Sequence, residues 1–168
     1  MVANKYKKIE KLIHIYTNSS RRKRGIRHLE FNTGLRFLSR RHSSIMAKRG
    51  RIWHGKNVFL APDHVSDPLM KFIKFILYPL TLFFPLLWII INFGDRGASG
   101  ENVAIMPKGI VRGIGKIDTD KQIALAFHRV WMNSQGHRKN TLNPNFSKIG
   151  VGIKRRGNRF YATQLFYG

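Results

Sequence analysis

Apolar residues recur at helical spacing near the amino end, where Tyr6, Ile9, Leu12 or Ile13, and Tyr16 share one side and Lys5, Lys7, Lys8 and Lys11 fill the rest of the turn. The spacing predicts an amphipathic helix from about Lys5 to Asn18. Ser19 to Gly25 then breaks the pattern with polar and basic residues and reads as a solvated loop. Its Arg21, Arg22, Lys23 and Arg24 are a candidate phosphate grip, weighed below a plain surface loop. A second apolar face, Leu35, Leu38, His42, Ile45 and Met46, follows Asn32 or Thr33 as a cap and ends near Gly50. On that face His42 reads as a core histidine with its hydrogen bonds met, not as a ligand.

Further on, Glu101 to Met106 is a short apolar stretch stopped by Pro107, and predicts a brief strand. The glycine-punctuated GIVRGIGKID after it reads as a loop; its glycines and lysine lack the spacing of a phosphate-cradling P-loop, which excludes that mode of nucleotide binding. Asp118 or Thr119 caps a third helix, with Ile123, Phe127, Val130 and Trp131 on one face until about Asn133. SQGHRKNTLNPNF is turn chemistry. KIGVGIK and RFYATQLFY alternate with period two around Arg155 to Asn158, and Gly157 can supply a positive φ, so the chain closes on a β-hairpin.

One stretch fits none of these elements. FILYPLTLFFPLLWIII, residues 75–91, is seventeen positions without a charge in a chain of net charge +23. Thirty-one Lys and Arg against eight Asp and Glu imply an anionic partner, whether lipid headgroup, nucleic acid or acidic polymer. With no cysteine, a disulfide framework and a thiolate metal site are both excluded. The first 25 residues carry no uninterrupted apolar stretch before a small-residue cleavage site, so no cleavable signal peptide is expected.

HSSIMAKRGRIWH (42–54), GENVA (100–104), WMNSQGHRKNTLNPNFSKIGVGI (131–153) and YATQLF (161–166) are together narrower than the element pattern. In order and wording they resemble the CAP superfamily, the cysteine-rich secretory, antigen 5 and pathogenesis-related 1 proteins, in its prokaryotic form. The resemblance covers roughly residues 5–57 and 97–168. It implies an α/β fold, an α-β-α sandwich, formed by a discontinuous domain of 1–57 and 97–168, with 58–96 inserted. It also implies a cleft at His54, Glu101, Ser134 and His137, where Ser134 stands at a position that often carries Glu in eukaryotic members. No cofactor is required by these residues, but His54, Glu101 and His137 could hold a zinc ion with a site open to water. The structural alternative, weighed above catalysis, is that Glu101 and His137 hydrogen-bond each other and the loop backbone. No serine or threonine sits in a recognised nucleophile elbow, and Ser134 lies too close to His137 in sequence to count as a triad without geometry.

Given that resemblance, a single membrane crossing by residues 75–91 would place His54 and Glu101 on opposite faces of a bilayer although both belong to one sandwich. Pro79 and Pro85 each remove a backbone donor and favour a reversal. The expectation is a re-entrant hairpin with arms near Leu69–Tyr78 and Pro85–Phe93, each about 12 to 15 Å long at roughly 1.5 Å per residue. Its membrane-binding side chains would be Phe75, Ile76, Leu77, Tyr78, Leu80, Leu82, Phe83, Phe84, Leu86, Leu87, Trp88, Ile89, Ile90 and Ile91. Lys71, Lys74 and Arg96 would meet anionic headgroups. The competing placements are an interface between copies of the chain, making a homo-oligomer, and a full span. Positive charge on both flanks points to the cytoplasmic face. Three functions compete: a non-enzymatic membrane-associated module that binds lipid or a partner, a metal-dependent hydrolase using the His/Glu/His cleft, and a basic nucleic-acid-binding protein, for which no recognised module is present.

Overall fold

The computed structural model describes residues 5–54 and 98–168. The insertion, with its membrane-binding set from Phe75 to Ile91 and the flanking Lys71, Lys74 and Arg96, lies outside the described residues. Among the described residues no helix is long and apolar enough to cross a membrane.

Helix α1 (Lys7–Arg22) buries Ile9, Ile13, Thr17 and Arg21, four residues apart and therefore on one stripe. It runs a full turn past Asn18, through the stretch the sequence assigns to a loop. Tertiary bonds account for the difference. Arg21 is fully buried and donates to the carbonyls of Arg27, Thr141, Asn143 and Phe146, at 2.8, 3.0, 2.9 and 3.2 Å. Burial first, and the positive Arg27 second, push its pKa below the ordinary arginine value. Arg21 is thus an internal clamp for the segment before the terminal hairpin, not a surface phosphate contact.

Strand β1 (Glu30–Phe31) is two residues long and leads into helix α2 (Thr33–Arg49). Asn32 caps α2 by accepting from the Leu35 amide at 2.9 Å, and Gly50 ends it in the left-handed conformation at φ 72°. Strand β2 (Ser99–Pro107) is followed by a small hairpin, β3 (Gly109–Val111) and β4 (Gly115–Ile117), where the sequence reading has only a loop. Gly113 turns it at φ 77°. Helix α3 (Asp120–Asn133) opens with a reciprocal capping box between Thr119 and Gln122. Helix α4 (Gln135–Thr141) occupies a second stretch assigned to turns. Strands β5 (Lys148–Arg156) and β6 (Arg159–Tyr167) form the expected hairpin about Gly157, at φ 54°.

The main sheet has the order β1-β5-β6-β2, with β1 parallel to β5 and the other neighbours antiparallel. Helices α1 and α3 pack on one face, where Ile13, Phe127, Trp131, Ile149, Val151 and Phe166 belong to the larger core. Helix α2 covers the other face through Met46 and Ala47 against Val103 and Tyr161. This is the expected α-β-α sandwich.

The IGVG stretch explains how closely α2 sits. A Cβ at Gly150 would lie 2.1 Å from the Leu35 carbonyl carbon, and one at Gly152 would lie 2.2 Å from the Arg40 amide nitrogen. Only glycine leaves room for the helix backbone there. The contact is sealed by serines: Ser39 donates to the Gly150 carbonyl at 3.1 Å and Ser43 to the Gly152 carbonyl at 2.9 Å.

Candidate functional site

Successive side chains of a strand point to opposite faces, and β2 divides the site accordingly. Val103 and Ile105 belong to the α2 side and Ala104 and Met106 to the other, so Glu101 faces α2 while Asn102 faces away.

The Glu101 carboxylate bridges two imidazoles. Oε2 lies 3.2 Å from Nδ1 of His42 and Oε1 lies 3.2 Å from Nδ1 of His54. The two histidines differ in setting: the side chain of His42 is 2 % exposed and that of His54 is 61 % exposed, with Glu101 at 9 % between them. The carboxylate therefore connects a buried ring to one open to water. His42 also lies 3.4 Å from Thr163 Oγ1, and its ring meets Trp53 edge-on at 5.2 Å. Trp53 is covered in turn by the Arg49 guanidinium, 4.8 Å from the ring centre.

His137 enters from α4, its ring 5.7 Å from that of His54. Its pKa is lowered, first by burial and then by repulsion from His54, with Glu101 opposing both. Helix α4 is docked by amides. Asn140 donates to the Glu101 carbonyl at 2.9 Å, and Asn102 donates to the His137 carbonyl at 3.1 Å and to Gln164 Oε1 at 3.1 Å. Gly100 lets the strand approach Phe146 closely at this junction, where a Cβ would lie 2.8 Å from the ring.

Of the four residues that the resemblance implies, the fold brings together His54, Glu101 and His137. Ser134 is the hinge between α3 and α4; its side chain makes no capping bond and no bond to the three. The expected pairing of Glu101 with His137 gives way to pairing with His42 and His54. His42, which the sequence reading places in the core and the structure buries, and Trp53 are the members that the resemblance did not set in the cleft. The legible signal for His42 was its place with Ser39, Ser43 and Met46 on the strip of α2 that faces the sheet.

The zinc expectation can be tested on this geometry. Oε1 of Glu101 hydrogen-bonds His54 Nδ1, Oε2 lies within ion-pair distance of His42 Nδ1 without hydrogen-bonding it, and among the described residues no group of three His, Asp or Glu side chains is placed to hold a metal ion. The arrangement offers an open imidazole on a buried carboxylate beside a second, half-buried imidazole, a surface suited to hydrogen-bonding a polar ligand.

The cysteine-rich secretory protein family (CAP) matches residues 91–167. The chain is 30% identical over 160 residues to the uncharacterized protein YkwD of Bacillus subtilis, an alignment that takes in 95% of this chain and 47% of YkwD. It thus spans about half the length of that relative. An extracellular protein of Bacillus anthracis containing an SCP domain is similar in structure, with a TM-score of 0.57 and 20% identity, over 95% of this chain and 40% of that one. An outer surface protein of Borrelia burgdorferi superposes with a TM-score of 0.58 at 17% identity, over 96% and 92% of the two chains. At these identities the structural likeness speaks for the fold alone.

Proposed function

The chain belongs to the CAP superfamily, in its prokaryotic form, and from that premise we propose that it is a membrane-associated, non-enzymatic binding module whose inserted apolar segment docks on an anionic bilayer. The observation that carries this reading is the meeting of His54 and Glu101 at 3.2 Å. The chain leaves the sandwich after His54 and is back at the same place by Glu101, so whatever residues 75–91 enter, they leave on the side from which they came.

Energetics support the same reading. Burying each large apolar side chain contributes roughly 1.5 to 3 kcal/mol, and each basic residue near an anionic leaflet adds about 1 kcal/mol. A dozen such side chains outweigh the net stability of an ordinary domain, about 5 to 15 kcal/mol. The neighbours described as an extracellular and an outer surface protein lend nothing to a cytoplasmic face, so the proposal names an anionic leaflet and not its side. Burial of Arg21 removes one cation from the cluster that spoke for nucleic acid.

Flotation tests the proposal. The intact chain should float with phosphatidylserine vesicles, and a chain with residues 69–93 replaced by a Gly/Ser linker should stay in the dense fraction while remaining folded. Equal flotation of both would remove the insertion as the docking element.

A further inference from the structure

The glycine strip of β5 has an end, and a cavity opens there. Gly150 and Gly152 hold α2 tight against the strand, and by period two the next side chains on that face are Lys154 and Arg156. They arrive where α2 reaches its last turn. Between them lies an open surface cavity of about 370 Å³ lined by Ser44, Ala47 and the exposed Lys48, Lys154, Arg155 and Arg156. It lies four to six residues along β2 from the pairing level of Glu101, roughly 13 to 20 Å at about 3.3 Å per residue, and so is separate from the histidine cleft.

We propose that this cavity is a binding site for a phosphomonoester group, the chemistry shared by phosphorylated lipid headgroups and soluble phosphorylated polyols. Four of its six lining residues are Lys or Arg and none is acidic. A helix C-terminus would ordinarily repel an anion through its unpaired carbonyls. Here Arg156 Nη1 donates to the carbonyls of Ala47 and Lys48, covering that negative end with a fixed positive charge. Arg155 is held at the hairpin end by its bond to the Gly157 carbonyl at 2.8 Å and by stacking over Phe160 at 5.5 Å.

Among the described residues neither Lys48 nor Lys154 has an ion-pair partner, whereas Glu10, Glu101 and Asp118 are engaged elsewhere, by Arg40, the histidines and Lys116. Like charges gathered around one small space repel, and a bound dianion relieves that repulsion. The Ser44 hydroxyl adds a neutral donor of the kind phosphate oxygens accept. The volume lies within the roughly 300 to 1,000 Å³ of small-ligand pockets. The inference does not depend on insertion of residues 75–91 into lipid.

The test uses the full chain and soluble inositol 1,4,5-trisphosphate, followed by titration calorimetry, with inorganic phosphate as the minimal probe. Saturable one-to-one binding is expected, weakened at least about ten-fold in Lys48→Ala/Lys154→Ala and less than about two-fold in Lys23→Ala/Lys121→Ala, which loses the same charge from exposed positions elsewhere. Equal weakening in both double variants, or the absence of saturable binding, overturns the site in favour of diffuse electrostatics. A vesicle arm then separates the sources. If vesicles carrying a phosphoinositide bind better than phosphatidylserine vesicles of matched charge, and the pocket variant abolishes the difference, the ligand is a lipid headgroup. If only the soluble compound responds, the ligand is a free phosphate ester.

Discussion

Glu101 sets the geometry of the cleft, because one carboxylate holds both a buried and an exposed histidine. Glu101→Gln keeps the shape and removes the charge, leaving the buried His42 with a weakened partner. Its stability by urea unfolding should fall by about 1 to 3 kcal/mol; an unchanged midpoint would mean the bridge contributes nothing. His128 makes the sharpest pH prediction. It is buried, lies 2.8 Å from Ser20 Oγ, and burial lowers its pKa to about 4 from an ordinary 6.5. A histidine whose folded pKa is depressed favours the neutral fold, so its contribution is complete above about pH 6.5 and is lost as pH falls from there toward about 4, a span worth roughly 3 kcal/mol. His137 shifts in the same direction. In His128→Gln this acid limb should flatten, as read by thermal unfolding across that range. From sequence alone, motif wording located His54, Glu101 and His137, while His42 stayed hidden because a histidine on an apolar helix face looks the same whether its partner is a backbone carbonyl or a carboxylate 59 positions away.

At the scale of elements, the long periodic segments were legible and the short ones were not. The Asn32 and Thr119 caps, the Gly50 stop and the alternation of β5 and β6 are local chemistry, readable over a few residues. The last turn of α1, the helix α4 and the strand β1 depend on distant partners: carbonyls 120 residues away for Arg21, the backbone of β2 for Asn140, and the edge of β5 for Glu30 and Phe31. No window on the sequence contains both halves of such bonds. The glycines rank the packing. Gly150→Ala drives a Cβ into the backbone of α2, which cannot yield, and should cost about 3 kcal/mol or more; Gly100→Ala meets the Phe146 side chain, which can turn aside, and should cost nearer 1 kcal/mol. Denaturant unfolding of the pair should preserve that order, and equal losses would contradict the close approach of α2.

For the whole molecule, the central claim is that residues before and after the apolar segment form one sandwich, so that the segment is a closed excursion. The hydrophobic run itself was plain in the sequence, and the resemblance already set His54 and Glu101 in one sandwich; the structure adds their contact at 3.2 Å. The absence of native cysteine makes a direct measurement simple. Single cysteines placed at the exposed positions 23 and 121, one on each side of the insertion, can be labelled in sealed anionic vesicles with a membrane-impermeant maleimide. Lys23→Cys and Lys121→Cys are predicted to react to the same extent before detergent is added. Reaction at one with protection of the other would place the two flanks in different compartments and contradict a single sandwich.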